Sequence, residues 1–293
     1  MSQLSFWDDV STDRIVNVAS VPQRSPFRYP GGKTWLVPRI RQWLVRMSHR
    51  PHLFVEPFAG GGIVSLTVAF ERLCETVLMV ELDDQVAAVW RTVLEGDAEW
   101  LAERIEEFEL SYEAVRSVLG NGSPSLREKA FQTLLKNRVF HGGILAPGSS
   151  VMKHGENGKG IGSRWYPRTL AKRIREIAMI GDRVHFIEGD GMQVLREHAS
   201  DDRAAFFIDP PYTAAGKKAG IRLYAHNVID HEELFGIAET LTGDFLMTYD
   251  HNEEVLRMAE RHGFDIHAIP MKNTHNARMT ELLIGRNLDW TRT

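Results

Sequence analysis

Short apolar runs that end in an acid or a glycine turn, and that alternate with segments of helical period, constrain this chain more than any other feature. Leu53 to Glu56 runs into the turn Pro57-Phe58-Ala59-Gly60-Gly61-Gly62 and then a helical stretch from Ile63. Val77 to Val80 ends in Glu81-Leu82-Asp83-Asp84 before a helix over Gln85 to Leu94. Val184 to Ile187 meets Glu188-Gly189-Asp190 and a helix from Met192 to His198, and Ala204 to Ile208 ends at Asp209. Runs this short and this apolar read as strands covered on both faces, and strand–helix alternation builds a parallel sheet between helical layers. The expected fold is α/β and doubly wound, completed by helices at Glu232 to Leu241 and Glu253 to His262. Further strands are expected at Phe245 to Tyr249, near Phe264 to Ile269 and at Glu281 to Gly285.

The rhythm breaks between about residues 96 and 182. Helical periods occur there at Trp100 to Phe108, Tyr112 to Leu119 and Leu126 to Val139, followed by a polar Gly-rich loop from His141 to Ser163 and a helix from Arg168 to Ile180. This predicts an inserted, mainly helical lobe over 96–182, separate from a domain made of 25–95 and 183–293. Residues 1–24 are polar without a sustained period, as in a flexible arm. A first helix is expected where Leu36, Ile40, Trp43, Leu44 and Met47 share a face, with Pro38 in its first turn.

Charge distribution says more than the net charge of −4. Eight acids against Arg104 lie between Glu95 and Glu113, whereas from Lys153 to Arg175 seven bases face Glu156 alone. Of that basic run, Lys153, Lys159, Arg164 and Arg168 stand in or beside the Gly-rich loop, where chain can follow a phosphate backbone. Lys172, Arg173 and Arg175 fit a solvated helix face equally well. No apolar run approaches the ~18 residues of a membrane span, and the N-terminus has no signal pattern, so the chain reads as cytoplasmic. The single cysteine, Cys74, excludes an internal disulfide and reads as a core residue. No Cys/His pairing at metal spacing occurs, so no metal is expected.

In open α/β sheets, ligands bind beyond the carboxyl ends of strands. At the end of Ala204 to Ile208 stands Asp209-Pro210-Pro211-Tyr212. A carboxylate only accepts hydrogen bonds, two prolines remove donors while keeping carbonyls, and a tyrosine ring offers a stacking face. Such a loop suits a planar group bearing an amine. The Asp209 carboxylate and Pro210 carbonyl can accept both N–H protons of a nucleobase amine and leave its lone pair aimed at an electrophile. The glycine turn allows close backbone approach at a helix start. An acid about 20 residues further on, Glu81 with Asp83 in reserve, stands where ribose hydroxyls bind; Asp83 can equally cap the next helix.

Arg28-Tyr29-Pro30-Gly31-Gly32-Lys33, Phe54-Val55-Glu56-Pro57-Phe58-Ala59-Gly60-Gly61-Gly62 and Asp209-Pro210-Pro211-Tyr212 resemble, in identity and order, the signature motifs of Dam-type, alpha-class DNA adenine-N6 methyltransferases. Leu135 to Gly143 resembles the N-R-x-x-F-N-G segment that opens that family's recognition region, with His141 in place of its Asn and the spacing one shorter. The resemblance implies a methyltransferase-type, Rossmann-like sheet with an inserted DNA-recognition lobe, S-adenosylmethionine as cofactor and double-stranded DNA as partner. Tyr29, Lys33, Glu56, Phe58, Gly60, Gly62, Glu81, Asp190 and Asp209 would surround the cofactor, with Glu56 pairing its ammonium and Asp190 the amine of its adenine. Asp209, Pro210, Pro211 and Tyr212 would act on a flipped target adenine. Arg28, Lys33, Asn137, Arg138, Lys153, Lys159, Arg164 and Arg168 would meet DNA, with Lys217, Lys218 and Arg222 as a second candidate surface. Cytosine-N4 methylation is the nearest rival, since the same loop serves both amines, though its members usually carry Ser at the place of Asp209. Methylation of RNA or of a glutamine amide goes with Asn-Pro-Pro-Tyr, and a non-catalytic, cofactor-binding DNA regulator is a rival of another class. The target sequence and any companion restriction endonuclease are not written in the motifs.

Overall fold

Every expected strand forms, and all seven join one sheet. They are β1 (Leu53–Glu56), β2 (Thr76–Glu81), β3 (Val184–Glu188), β4 (Ala204–Ile208), β5 (Asp244–Asp250), β6 (Asp265–Lys272) and β7 (Arg278–Gly285). The structure, a computed structural model, describes residues 18–29, 31–211, 229–272 and 278–292. The strand order is β3-β2-β1-β4-β5-β7-β6, with β1 to β5 parallel and β7 antiparallel to both its neighbours. This is the doubly wound, mostly parallel arrangement expected from the alternation.

Successive strand residues point to opposite faces, and both faces are dry. Phe54, Val77, Met79, Ala205, Phe207, Leu246 and Leu283 join one core, while Val55, Leu78, Val80, Phe206, Ile208, Met247 and Ile284 join the other. The first face is covered by α1 (Val37–Arg46), α2 (Ile63–Phe70) and α3 (Asp84–Leu94). The second is covered by α8 (Gly191–Glu197), α9 (His231–Thr240) and α10 (Glu253–Arg261).

The insertion contributes α4 (Ala98–Glu106), α5 (Tyr112–Leu119), α6 (Leu126–Val139) and α7 (Pro167–Ala178). Its apolar residues join the cluster that covers the first sheet face. Leu101, Ile105, Phe131, Leu134, Leu135, Leu170 and Ile174 belong to the same apolar cluster as Val89 and Trp90 of α3 and the first sheet face. The opposed charge runs meet within it: Arg175 of α7 pairs with Glu99 at 2.7 Å and Glu106 at 2.9 Å on α4. These are exposed pairs of small energetic value, but they account for Arg175 as a helix-face residue. The expected arm also ends sooner than residue 24, because Val21 is buried in the core.

Candidate active site

Strand order reverses between β1 and β4, and that reversal opens a cleft at their carboxyl ends. The acids there follow from strand length and register. Glu56 closes β1, Glu81 closes β2, Asp190 follows β3 by one turn, and Asp209 is the residue after β4. Together with Tyr29, Lys33, Phe58, Gly60, Gly62, Pro210 and Pro211 they line one cavity of about 1090 Å3. Tyr212, Lys217, Lys218 and Arg222 lie outside the described residues.

At the centre of the cavity Lys33 joins two carboxylates. Its Nζ stands 2.9 Å from Asp209 Oδ1 and 2.9 Å from Glu281 Oε1, and it donates to the Gly31 carbonyl at 3.3 Å. Asp209 Oδ1 also accepts from Thr248 Oγ1 at 2.9 Å. Burial alone would pull the Lys33 pKa down, but Asp209 and then Glu281 outweigh it and hold the ammonium above the ordinary lysine value. Asp209 is therefore held from two directions, by Lys33 and by Thr248, where it lines the cleft.

Glu281 is the site residue that sequence reading missed. It lies in β7, which runs against β5 in a register that sets Glu281 opposite Asp250 at the carboxyl end of β5. In a strand parallel to β1 and β4 the first residue faces away from the cleft, so its place in the chain did not flag it. The one sequence hint is an acid joined directly to an apolar run, Glu281-Leu282-Leu283-Ile284; in the fold it is 3% exposed and paired with Lys33.

Glu56 and Glu81 form the acidic wall. Glu56 is 4% exposed and accepts from the Ser65 backbone N–H at 2.9 Å. Burial pushes its carboxyl up to about 8, helped by the charges of Asp209 and Glu81 and opposed by the Ser65 bond. Glu81 accepts from the backbone N–H groups of Gly60, Leu82 and Asp83 at 2.8, 2.8 and 2.9 Å. Burial pushes it up to about 7. Asp83 caps α3 by accepting from Gln85 N and Val86 N, and Asp190 caps α8 by accepting from Met192 N. The capping role considered for Asp83 is thus real and leaves Glu81 at the strand end.

The glycine turn is tight for reasons on both its sides. Gly60 and Gly62 have φ of 48° and 63°, which disfavours any residue with a Cβ. A Cβ on Gly60 would come within 2.6 Å of the Tyr29 ring, which lies over the turn from the cleft side. On Gly62 it would meet Met79 Cε at 2.5 Å and Trp90 Cζ2 at 2.9 Å, so the obstruction there is the protein core rather than a ligand. We therefore expect Gly62→Ala to act on stability. Left-handed strain and overpacking together cost about 2–4 kcal/mol, measurable as a lowered urea midpoint without ligand. A variant as stable as the parent would show that the turn relaxes freely.

Two residues assigned to DNA contact are used internally. Asn137 is fully buried, accepts from Arg28 N at 2.8 Å, and donates to the carbonyls of Arg28 at 3.0 Å and Gly143 at 2.8 Å. Its amide clamps the Arg28 loop to α6 with both N–H protons spent on carbonyls, and it presents no atom at the surface. Arg164 is 5% exposed; its Nε lies 2.6 Å from Glu156 Oε1 and its Nη1 donates to the Phe140 carbonyl at 3.2 Å, making it a strut inside the insertion. Lys153, Lys159 and Arg168 are exposed on the insertion. Cys74 is buried, donates to the Thr76 carbonyl, and has its thiol pushed up to about 12 by burial, which fits the core reading and no nucleophile. Among the described residues no group of His, Cys, Asp and Glu is arranged to hold a metal, and no helix is long and apolar enough to cross a membrane.

The donor set fits a ligand with a cationic amine, a diol and an aromatic base. Glu56 presents a buried carboxyl group without a cation within ion-pair distance among the described residues, Glu81 keeps one lone-pair site after its three backbone bonds, and Tyr29 and Phe58 give apolar walls. Comparison with known proteins adds identity to chemistry. The model of the D12 class N6 adenine-specific DNA methyltransferase family matches residues 29–272. No curated protein matches the sequence. Among solved structures, the rRNA methyltransferase aviRa from Streptomyces viridochromogenes is 14% identical, with 88% of this chain and 86% of that one covered and a TM-score of 0.39. Precorrin-6y C5,15-methyltransferase from Geobacter metallireducens is 10% identical, with coverage of 88% and 91% and a TM-score of 0.38. TYW2 from Pyrococcus horikoshii in complex with MeSAdo is 12% identical, with coverage of 93% and 67% and a TM-score of 0.31.

Proposed function

Because the chain belongs to the D12 class N6 adenine-specific DNA methyltransferase family, and so methylates adenine in DNA with S-adenosylmethionine as donor, we propose that it does so on a base flipped out of the duplex and by direct in-line transfer. The observation that carries this reading is the Asp209 carboxylate held by Lys33 and Thr248 at the mouth of β4, in the same cavity as Glu56, Glu81 and the glycine turn. When bound, S-adenosylmethionine supplies an electrophilic methyl group on a sulfonium. Glu56 would hold its ammonium, Glu81 its ribose hydroxyls and Asp190 the amine of its adenine, with Tyr29 and Phe58 against its apolar parts.

Asp209 and the Pro210 carbonyl would accept hydrogen bonds from the two N6–H groups of the target adenine. Fixing both protons turns the amine lone pair toward the methyl, and holding it there supplies much of the rate through proximity and orientation. Extrusion of the base costs a few kcal/mol, which stacking on Tyr212 would offset by about 1–3 kcal/mol. No covalent enzyme intermediate is involved, in keeping with a protonated, buried Cys74. Lys153, Lys159 and Arg168 on the insertion would approach the duplex backbone.

Incubation of the protein with labelled S-adenosylmethionine and mixed-sequence duplex DNA, followed by digestion to nucleosides, tests the reading. Label in N6-methyladenine is expected. Label in N4-methylcytosine, or none in DNA, would overturn it.

Glu56 provides a second check. A carboxyl whose folded pKa is raised holds its proton longer than the unfolded chain does. Its contribution to stability is full below the unfolded value near 4.5 and is lost as pH rises through about 8. Glu56→Gln removes that loss, so the free variant should match the parent near pH 4.5 and be the more stable by a few kcal/mol at pH 8, at about 1.4 kcal/mol per pKa unit. The same variant should bind S-adenosylmethionine at least about tenfold more weakly, because the ammonium loses its anion. Thermal unfolding at the two pH values and calorimetry measure both. Equal stability at pH 8 would mean that the carboxyl is not held protonated.

A further inference from the structure

Three guanidinium groups, those of Arg28, Arg138 and Arg173, line the cavity, and that of Arg164 lies near Arg138. Arg138, near the end of α6, is 6% exposed and lines the cavity; its Nη2 donates to the Pro26 carbonyl, while its Nε has no hydrogen-bond acceptor. Arg173 of α7 lines the same wall and donates to the adjacent Ser25 carbonyl at 3.0 Å. Arg28, which is exposed, completes the lining. Arg28 and Arg164 share one carboxylate oxygen, Glu156 Oε1, at 3.3 and 2.6 Å. Among the described residues that is the one acid in ion-pair contact with any of the four.

Arg138 is buried with no acid in ion-pair contact among the described residues and with other guanidinium groups nearby, and buried positive charge of that kind is costly without an anion. Burial, with Arg173, Arg28 and Arg164 nearby, draws the Arg138 guanidinium down to about 10. Ser25 to Lys33 connects the cluster directly to the Asp209 centre: Arg138 and Arg173 hold the carbonyls of Pro26 and Ser25, and Lys33 touches Asp209. An anion bound at the arginines would therefore be read by the same loop that positions the reaction centre. Tyr166, 60% exposed at the rim, offers a ring on which a base can stack. Forked donors that suit a phosphate, beside a stacking surface, describe a nucleic-acid strand better than a small anion.

We propose that Arg28, Arg138 and Arg173 form a site for a phosphodiester of the DNA strand that delivers the target base, a proposal that rests on the methyltransferase reading above. Each phosphate neutralised in duplex DNA contributes about 0.9 to the slope of log affinity against log salt. The test uses the full chain carrying Arg28→Gln and Arg173→Gln, leaving the buried Arg138 in place, with thermal unfolding to verify folding. The expected result is a salt slope smaller by about one, S-adenosylmethionine affinity within about twofold of the parent, and stabilisation by inorganic phosphate that is present in the parent and reduced in the variant. A slope and DNA affinity equal to the parent's would overturn the proposal. So would a loss of cofactor affinity at unchanged slope, which would give the arginines to the cofactor's carboxylate instead. Should the double variant not fold, Arg173→Lys keeps the charge but not the fork, and is expected to weaken DNA binding at nearly unchanged slope; parental affinity would count against the site. The methylated nucleoside is identified for the parent in the same series, so a parent that methylates adenine while the variant keeps its slope condemns the phosphate site alone.

Discussion

Asp209→Asn is expected to lower the methyl-transfer rate by at least about 10²-fold, the usual loss when one preorganised group that stabilises developing charge is removed, while S-adenosylmethionine still binds. The substitution keeps the side chain's shape and its carbonyl oxygen, which can go on accepting from Thr248 Oγ1. It exchanges one acceptor for an N–H2 group, which cannot receive a proton from the target amine. The fold should tolerate the change, because Lys33 retains Glu281 at 2.9 Å and the buried charges come closer to balance. Asp209→Ala should lose activity to the same degree, with a small further cost for the stranded Thr248 hydroxyl. Single-turnover rates with saturating cofactor and DNA separate chemistry from binding. A rate within about tenfold of the parent, or roughly 1.4 kcal/mol, would take Asp209 out of the chemistry.

What was legible in the sequence was the part that depends on local pattern. Strand runs such as Ala204–Ile208 were bounded correctly because apolar β-formers gave way at once to acid or proline, and the acids at their ends marked the cleft. Tertiary use of polar residues was not legible. Asn137 and Arg164 sit in motif-like, basic stretches, yet one is saturated by backbone groups and the other pinned by Glu156. Glu281 depended on the antiparallel direction and register of β7, which no spacing along the chain encodes. The insertion read as a lobe because its periods interrupt the alternation. Its apolar faces, however, pack on α3, and amphipathicity alone does not say which neighbour covers a face.

Lys33→Met should cost more stability than any other single change at the site. It leaves Asp209 and Glu281 facing one buried space without the cation that both touch, and breaking a buried charge network by removing one partner costs about 3–5 kcal/mol. The two carboxyls can relieve the cost by holding a proton between them. Their folded pKa values then rise, so the variant should lose stability relative to the parent as pH increases from about 5 to 9. Activity should move the other way: a protonated Asp209 cannot accept from the target amine, so the ratio of variant to parent turnover should climb with pH as Asp209 ionises. Glu281→Gln placed in the Lys33→Met background removes the like charge. It should recover part of the lost stability and bring the rise in activity to lower pH. In the parent background, the same substitution leaves Lys33 to Asp209 alone and should have little effect on stability. Denaturant unfolding of the four proteins forms a double-mutant cycle in which the coupling between positions 33 and 281 is read directly. Additive effects, or a Lys33→Met variant as stable as the parent at pH 8, would mean that Lys33 does not balance the two acids.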